Sequence, residues 1–206
     1  SMDYGFKELK DPNAYNPERS KQLLAEDGWK DTDGDGILDK DGKPLTFNFV
    51  VYNSRAELPL YAEAVQADLK KVGIDMKIKT VDYNLIDKMG QEGDYDMLIS
   101  NIVTANTGDP IWFLANYWHT NNNGSNPQNG SGYSNPQVDQ LLDAAETEFD
   151  PAKRRDYAIQ IQQLLMNDGA ALFLGYPKTN IVTGSYLKGA VMYPSDYYWI
   201  TNKITK

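Results

Sequence analysis

Four aspartates, Asp31, Asp33, Asp35 and Asp39, have the spacing of positions 1, 3, 5 and 9 of a calcium loop, with Gly36 at the sixth position, where such loops turn sharply. Carboxylate oxygens placed in this way suit a hard divalent cation. The bidentate glutamate of the twelfth position is missing, because Gly42 occupies it, so calcium would be held weakly. A pair of aspartate-glycine turns leading into a strand accounts for the same residues, and both readings stay open.

A second concentration of chemistry begins at Asn106-Thr-Gly-Asp-Pro-Ile-Trp-Phe and continues through Tyr117, Trp118 and His119 to Tyr133, beyond a polar loop. Asp109-Pro110 provides a helix N-cap followed by proline at the first helical position. Aromatic faces, amide side chains and a helix N-terminus can hold a small polar ligand without transforming it. The candidate ligand contacts are therefore Asn106, Thr107, Asp109, Trp112, Trp118, His119 and Tyr133. Each aromatic taken singly serves equally well to pack the helix on a sheet. His119 is the only histidine and cysteine is absent, which removes thiol catalysis, thiolate zinc sites, disulfides and most catalytic triads. No nucleophile elbow, phosphate loop or dinucleotide fingerprint is present. A glycosidase carboxylate pair drawn from Asp94, Asp96, Asp109 and Asp139 stays open, although charged surface is the simpler role for all four.

The elements that must position these residues read as α/β. Asn16-Pro17 opens a short helix with Leu23 and Leu24 inward, ended by Gly28-Trp29. Residues 45–52 alternate as a strand, 57–72 follow helical spacing and 74–80 alternate again, which makes a βαβ unit with two parallel strands. A short helix at 83–89 precedes an apolar strand at 95–103, placed inside a sheet covered on both faces. Residues 120–134 are too rich in asparagine and glycine to pack as an element. Asn135-Pro136 and Asp150-Pro151 start two further helices, with Val138, Leu142, Ile161 and Leu165 inward. Residues 170–174 and 179–183 read as strands, and the aromatic tail at 193–199 should pack on this domain or on a missing part. The expected fold is a mostly parallel sheet flanked by helices.

The chain has 206 residues, 41% of them hydrophobic and 24% charged, with no long apolar run. A globular domain without a transmembrane span or signal peptide is expected. Ser1-Met2 reads as a vector remnant before an internal start, so the missing signal says nothing of the native protein. A formal charge of -9 argues against nucleic acid or an anionic membrane as partner.

Several stretches in register resemble the extracytoplasmic solute-binding proteins of oligopeptide, dipeptide and nickel ABC importers, family 5. They are Tyr15-Asn-Pro-Glu-Arg-Ser-Lys-Gln-Leu-Leu, Gly28-Trp29, the Asp-Thr-Asp-Gly-Asp-Gly turn, Gly42-Lys-Pro-Leu, Tyr133-Ser-Asn-Pro-Gln-Val-Asp and Asp150-Pro-Ala-Lys-Arg. The resemblance implies that residues 1–206 are the carboxyl-terminal lobe of a periplasmic-binding-protein-like type II fold, excised from a two-lobed protein. Such a protein is no enzyme; it closes on a small peptide or metal chelate with its amino-terminal lobe and passes the cargo to an ABC permease. It would be a monomer outside the cytoplasm, lipid-anchored or periplasmic, with nickel only as cargo and no cofactor beyond weak calcium. Peptide binders of the family carry an aspartate where Asn106 stands, and an amide supplies no ion pair to a peptide amino terminus. Thr107-Gly-Asp-Pro110 and Gly132-Tyr-Ser-Asn135 are similar to members that take nickel or its chelates. The alternatives are a carbohydrate-active enzyme or carbohydrate-binding module, and a peptide-signal receptor of the same fold.

Overall fold

The chain enters its first helix, α1 (Pro17–Glu26), through Asn16, whose side chain accepts the backbone N–H of Arg19 while Pro17 takes the first helical position. The structure, a computed structural model, describes residues 7–102, 104, 109–176, 180–191 and 201–206. Asn106, Thr107 and the tail at 193–199 lie outside the described residues. Leu24 and Trp29 rest on a small cluster of Leu45, Val72 and Ile74. Leu23, expected beside Leu24, is exposed. So small a cluster accepts a single row of the helix, and the neighbouring residue falls outside it.

A hairpin of β1 (Asp39–Lys40) and β2 (Lys43–Pro44) leads into the expected βαβ unit. It consists of β3 (Thr46–Tyr52), α2 (Glu57–Lys70) and β4 (Asp75–Val81), with β3 and β4 parallel from Thr46 opposite Asp75 to Tyr52 opposite Val81. Gly73 makes the return from α2 at φ 83, where a β-carbon would stand 2.6 Å from Leu38 Cγ. Only glycine fits both conditions.

A 3-10 turn (Tyr83–Leu85) and α3 (Ile86–Glu92) precede β5 (Met97–Leu98), which pairs parallel with β3 and gives the order β4-β3-β5. The strand expected inside the sheet at 95–103 is thus shorter and lies at an edge among the described residues. The central place belongs to β3, whose Val50 and Val51 are fully buried. Beyond Leu98 the chain still follows β3: Ile99 N–H donates to the Val50 carbonyl at 3.0 Å and Asn101 N–H to the Tyr52 phenol oxygen at 3.1 Å. A side-chain acceptor has replaced the backbone one, and there the ladder stops.

Three helices follow, α4 (Pro110–Trp118), α5 (Pro136–Thr147) and α6 (Pro151–Asn167). Asp109, Asn135 and Asp150 cap them, each accepting a backbone N–H from the first turn. Their inward residues, among them Ile111, Leu114, Leu142, Ile161 and Leu165, form a core separate from the one that Phe49, Val51, Tyr52, Leu58, Met76 and Ile99 build around the sheet. A seam joins the two. The Tyr95 hydroxyl donates across it to the Gly130 carbonyl, and a β-carbon on Gly130 would lie 3.1 Å from Gly90 Cα. Leu174 packs on the sheet core and Ala170 on the helical core, so the intervening chain crosses the same seam.

The described parts of 170–174 and 179–183 are not strands. A strand needs a ladder partner, and among the described residues none pairs with them. Phe173 is 58% and Val182 92% exposed, so their apolar side chains stand in water.

Candidate functional site

The site is assembled on α4. Asp109 Oδ1 accepts Ile111 N–H at 2.9 Å, and Oδ2 pairs with the Arg154 guanidinium of α6. Ile111, Leu114 and Trp118 recur at helical spacing and face the core. Trp118 is only 8% exposed and meets Tyr133 edge-on, ring centroids 5.8 Å apart. Trp118 therefore packs on the helical core in this structure. Trp112 lies on the outer face at 39% exposure. Phe113 and Tyr117 are half-buried with ring centroids 5.2 Å apart. Burial, with Asp87 of α3 next in weight, raises the Tyr117 phenol above its ordinary pKa.

The polar loop has a structural task that its composition alone does not reveal. Asn126 and Asn129 both donate to the His119 carbonyl, at 2.8 and 2.9 Å, and Asn126 also reaches the Ala115 carbonyl at 3.2 Å. The His119 carbonyl thereby gains two side-chain donors, while the Ala115 carbonyl shares the Asn126 amide with the His119 N–H that closes the helix. Asn129 is 3% exposed and spends its second amide hydrogen on the Tyr133 carbonyl at 2.9 Å.

His119 sits at the same end. Its Nδ1 lies 3.3 Å from the Thr120 carbonyl and its Nε2 3.3 Å from Asp143, with Asp139 at 3.7 Å. Burial lowers the imidazole's pKa, but the Thr120 carbonyl, Asp139 and Asp143 together outweigh it and leave the value raised. A raised folded value means that protonation stabilises the fold. The contribution is complete below the unfolded value of about 6.5 and is lost as pH rises through the folded one. Wild type should therefore exceed His119→Ala in urea midpoint by more at mildly acid pH than at mildly alkaline pH. The His119 side chain is about one-third exposed, so the effect stays below about 1 kcal/mol. Equal differences at both pH values would remove this role.

Tyr133 donates its hydroxyl to Asp168 at 2.6 Å, and Asn135 Nδ2 donates to the same oxygen at 2.8 Å. Burial and the carboxylate raise the Tyr133 phenol far above its usual range, while the Tyr133 and Asn135 hydrogen bonds lower Asp168. Tyr133 thus ties the loop to the end of α6. Asp109 and Trp112 occupy one end of α4 and His119 the other, about 10 Å along the axis from Trp112. The structure brings Trp118, His119 and Tyr133 together and leaves Trp112 as the open aromatic face.

In the acidic turn, carboxylate oxygens of Asp31, Asp33 and Asp39 lie within 4.8 Å of one another. Asp35, the fourth expected ligand, is outside this trio and accepts Ile37 N–H at 2.7 Å. Asp31 accepts the amides of Gly34 and Gly36 at 2.7 and 3.0 Å, and Asp39 holds Thr32. Three carboxylates fit the oxygen chemistry of calcium but fall short of its usual six to eight ligands.

The four carboxylates considered for glycoside cleavage are each engaged elsewhere. Asp94 pairs with Lys79, Asp96 holds Asn48 of β3, Asp109 holds Arg154 and Asp139 accepts Thr120 N–H. Sequence reasoning missed Arg154, Asp168, Asn126 and Asn129 as positioning groups. Arg154 stood only in a signature stretch, and amides reaching helix carbonyls follow no fixed spacing.

Residues 1–125 match the family model for bacterial extracellular solute-binding proteins, family 5 Middle. The oligopeptide-binding protein AppA of Bacillus subtilis is 31% identical over 187 residues, which cover 87% of this chain and 33% of AppA. The structure of AppA in complex with a nonapeptide superposes with a TM-score of 0.69 at 30% identity, over 80% of this chain and 32% of that one. NikA of Staphylococcus aureus in complex with Ni(L-His)2 gives 0.65 at 26% identity, over 80% of this chain and 33% of that one. The chain spans about a third of the length of the curated relatives it matches.

Proposed function

The chain belongs to the bacterial extracellular solute-binding proteins of family 5, and we propose that it is the carboxyl-terminal lobe of a two-lobed receptor for an oligopeptide, a dipeptide or a nickel chelate. The receptor is a monomer that works outside the cytoplasm, lipid-anchored or periplasmic, and hands its cargo to an ABC permease. It is not an enzyme. The observation that carries the reading is that the matched residues 1–125 span both the β4-β3-β5 sheet and α4, the helix that carries the exposed Trp112. Water-exposed Phe173 and Val182 fit a surface that another lobe covers. The relatives named above are binding proteins, so the carbohydrate-active enzyme is set aside.

One lobe offers about half the contacts of a closed cleft, and affinity should fall by several orders of magnitude, toward millimolar. Amide chemical shifts see such weak binding. Titration with a short-peptide pool and, separately, with nickel-histidine should move amides within 109–133 for one of the two. If the folded chain responds to neither, or responds only around α1 and the acidic turn, the reading is wrong.

A further inference from the structure

The polar loop contains two Asn-Gly pairs in opposite surroundings. Asn123 is exposed at φ 54 and is followed by Gly124 at φ 86, where an added β-carbon would meet nothing within 4 Å. They are the central residues of a turn closed by Ser125 N–H to the Asn122 carbonyl at 3.1 Å, and positive φ at both marks a type I′ turn. Asn129 is buried, its amide hydrogens are given to the His119 and Tyr133 carbonyls, and its oxygen accepts the Ser131 hydroxyl at 2.8 Å. Gly130 N–H donates to the Gln128 carbonyl at 2.9 Å, and its main chain lies against Gly90.

We infer that Asn123 is a site of spontaneous deamidation through a cyclic imide, and that the fold protects Asn129 from the same reaction. Solvent hydroxide takes the Gly124 N–H proton and the nitrogen forms a bond to Asn123 Cγ. The Cγ–Nδ2 bond then breaks, and the amide nitrogen takes protons from water and leaves as ammonia. Water opens the imide at either carbonyl, giving aspartate, or isoaspartate with the main chain rerouted through the side chain. Water is the only co-reactant. At Asn123 the attack requires rotation within an open turn that has no β-carbon after it. At Asn129 it requires three hydrogen bonds to break and a buried side chain to leave its place.

The product matters for α4. A carboxylate at 123 adds one negative charge to the formal -9, and isoaspartate adds a methylene to the main chain inside the Asn122 to Ser125 turn. That turn adjoins Asn121, whose Oδ1 accepts Asn126 N–H at 3.1 Å and so steadies the residue that caps the His119 carbonyl.

The folded chain is incubated in mildly alkaline buffer, digested and mapped by mass. Residues 123 and 129 share one peptide, so its fragment ions are read: those holding residue 123 alone should become about 1 Da heavier, while those holding residue 129 alone change more than about tenfold more slowly. In concentrated urea the two should age at similar rates. Asn123→Gln, which needs a larger ring, should stay intact. Aged protein should show shifted amides at Asn126 and Thr120. Equal ageing of Asn123 and Asn129 in the folded chain would overturn the inference. So would an intact Asn123 over a time in which the urea-unfolded chain has aged.

Discussion

Replacing Arg154 with methionine should cost the helical layer about 3 kcal/mol in urea unfolding. Its guanidinium holds the N-cap carboxylate of Asp109 with one nitrogen and, with another, the Ala145 and Glu148 carbonyls at the end of α5. One side chain therefore fixes the start of α4, the end of α5 and the first turn of α6. The side chains of the pair are 23% and 36% exposed, which holds the loss near the lower end of the range for broken buried pairs. A cycle with Asp109→Asn separates this ion pair from the two carbonyl contacts. A coupling of about 1 kcal/mol or more is expected, and a coupling near zero would show that Asp109 acts only as a cap. The ligand-induced amide shifts at the start of α4 should weaken in parallel.

Leu142→Ala should cost about 3 kcal/mol, because Leu142 is fully buried among α4, α5 and α6 and truncation leaves a cavity that helices pinned by Arg154 cannot close. The two separate cores make its distribution informative. Hydrogen exchange should quicken in α4, α5 and α6 by more than in β3 and β4, since the sheet packs mainly on α2 and α3 residues. Uniform acceleration throughout would mean that the seam couples both cores into one cooperative unit.

Much of this architecture is legible in the residues. Asn16, Asp109, Asn135 and Asp150, each followed by proline, mark four helix starts that the structure places at those residues, because cap geometry is set by the residue and its immediate neighbours. The βαβ unit is equally clear from the change of apolar period at 45–52, 57–72 and 74–80. What escaped depends on which partner each residue finds in the fold. The segment at 170–174 has strand composition, yet composition does not supply a neighbouring strand. Trp118 and Trp112 are indistinguishable as residue types; only the row containing Ile111 and Leu114 determines which one turns inward. Asp35 has the calcium-loop spacing, and in the fold it accepts Ile37 N–H and stands apart from the trio of Asp31, Asp33 and Asp39. The loop at 120–134 reads as unable to pack as an element by itself, whereas Asn126 and Asn129 make it the end-piece of α4.

The division into two cores also bears on how the chain reaches its fold. The sheet core is drawn chiefly from residues 49–99 and the helical core from 111–165, so each is contiguous in sequence and forms without closing a long loop. Only the seam, with Tyr95 meeting Gly130 and Leu174 crossing to the sheet, must wait for both. The helical half can therefore condense around Trp118 before its sheet neighbour is in place, and the side chains that meet late, at residues 90 and 130, are the ones reduced to hydrogen.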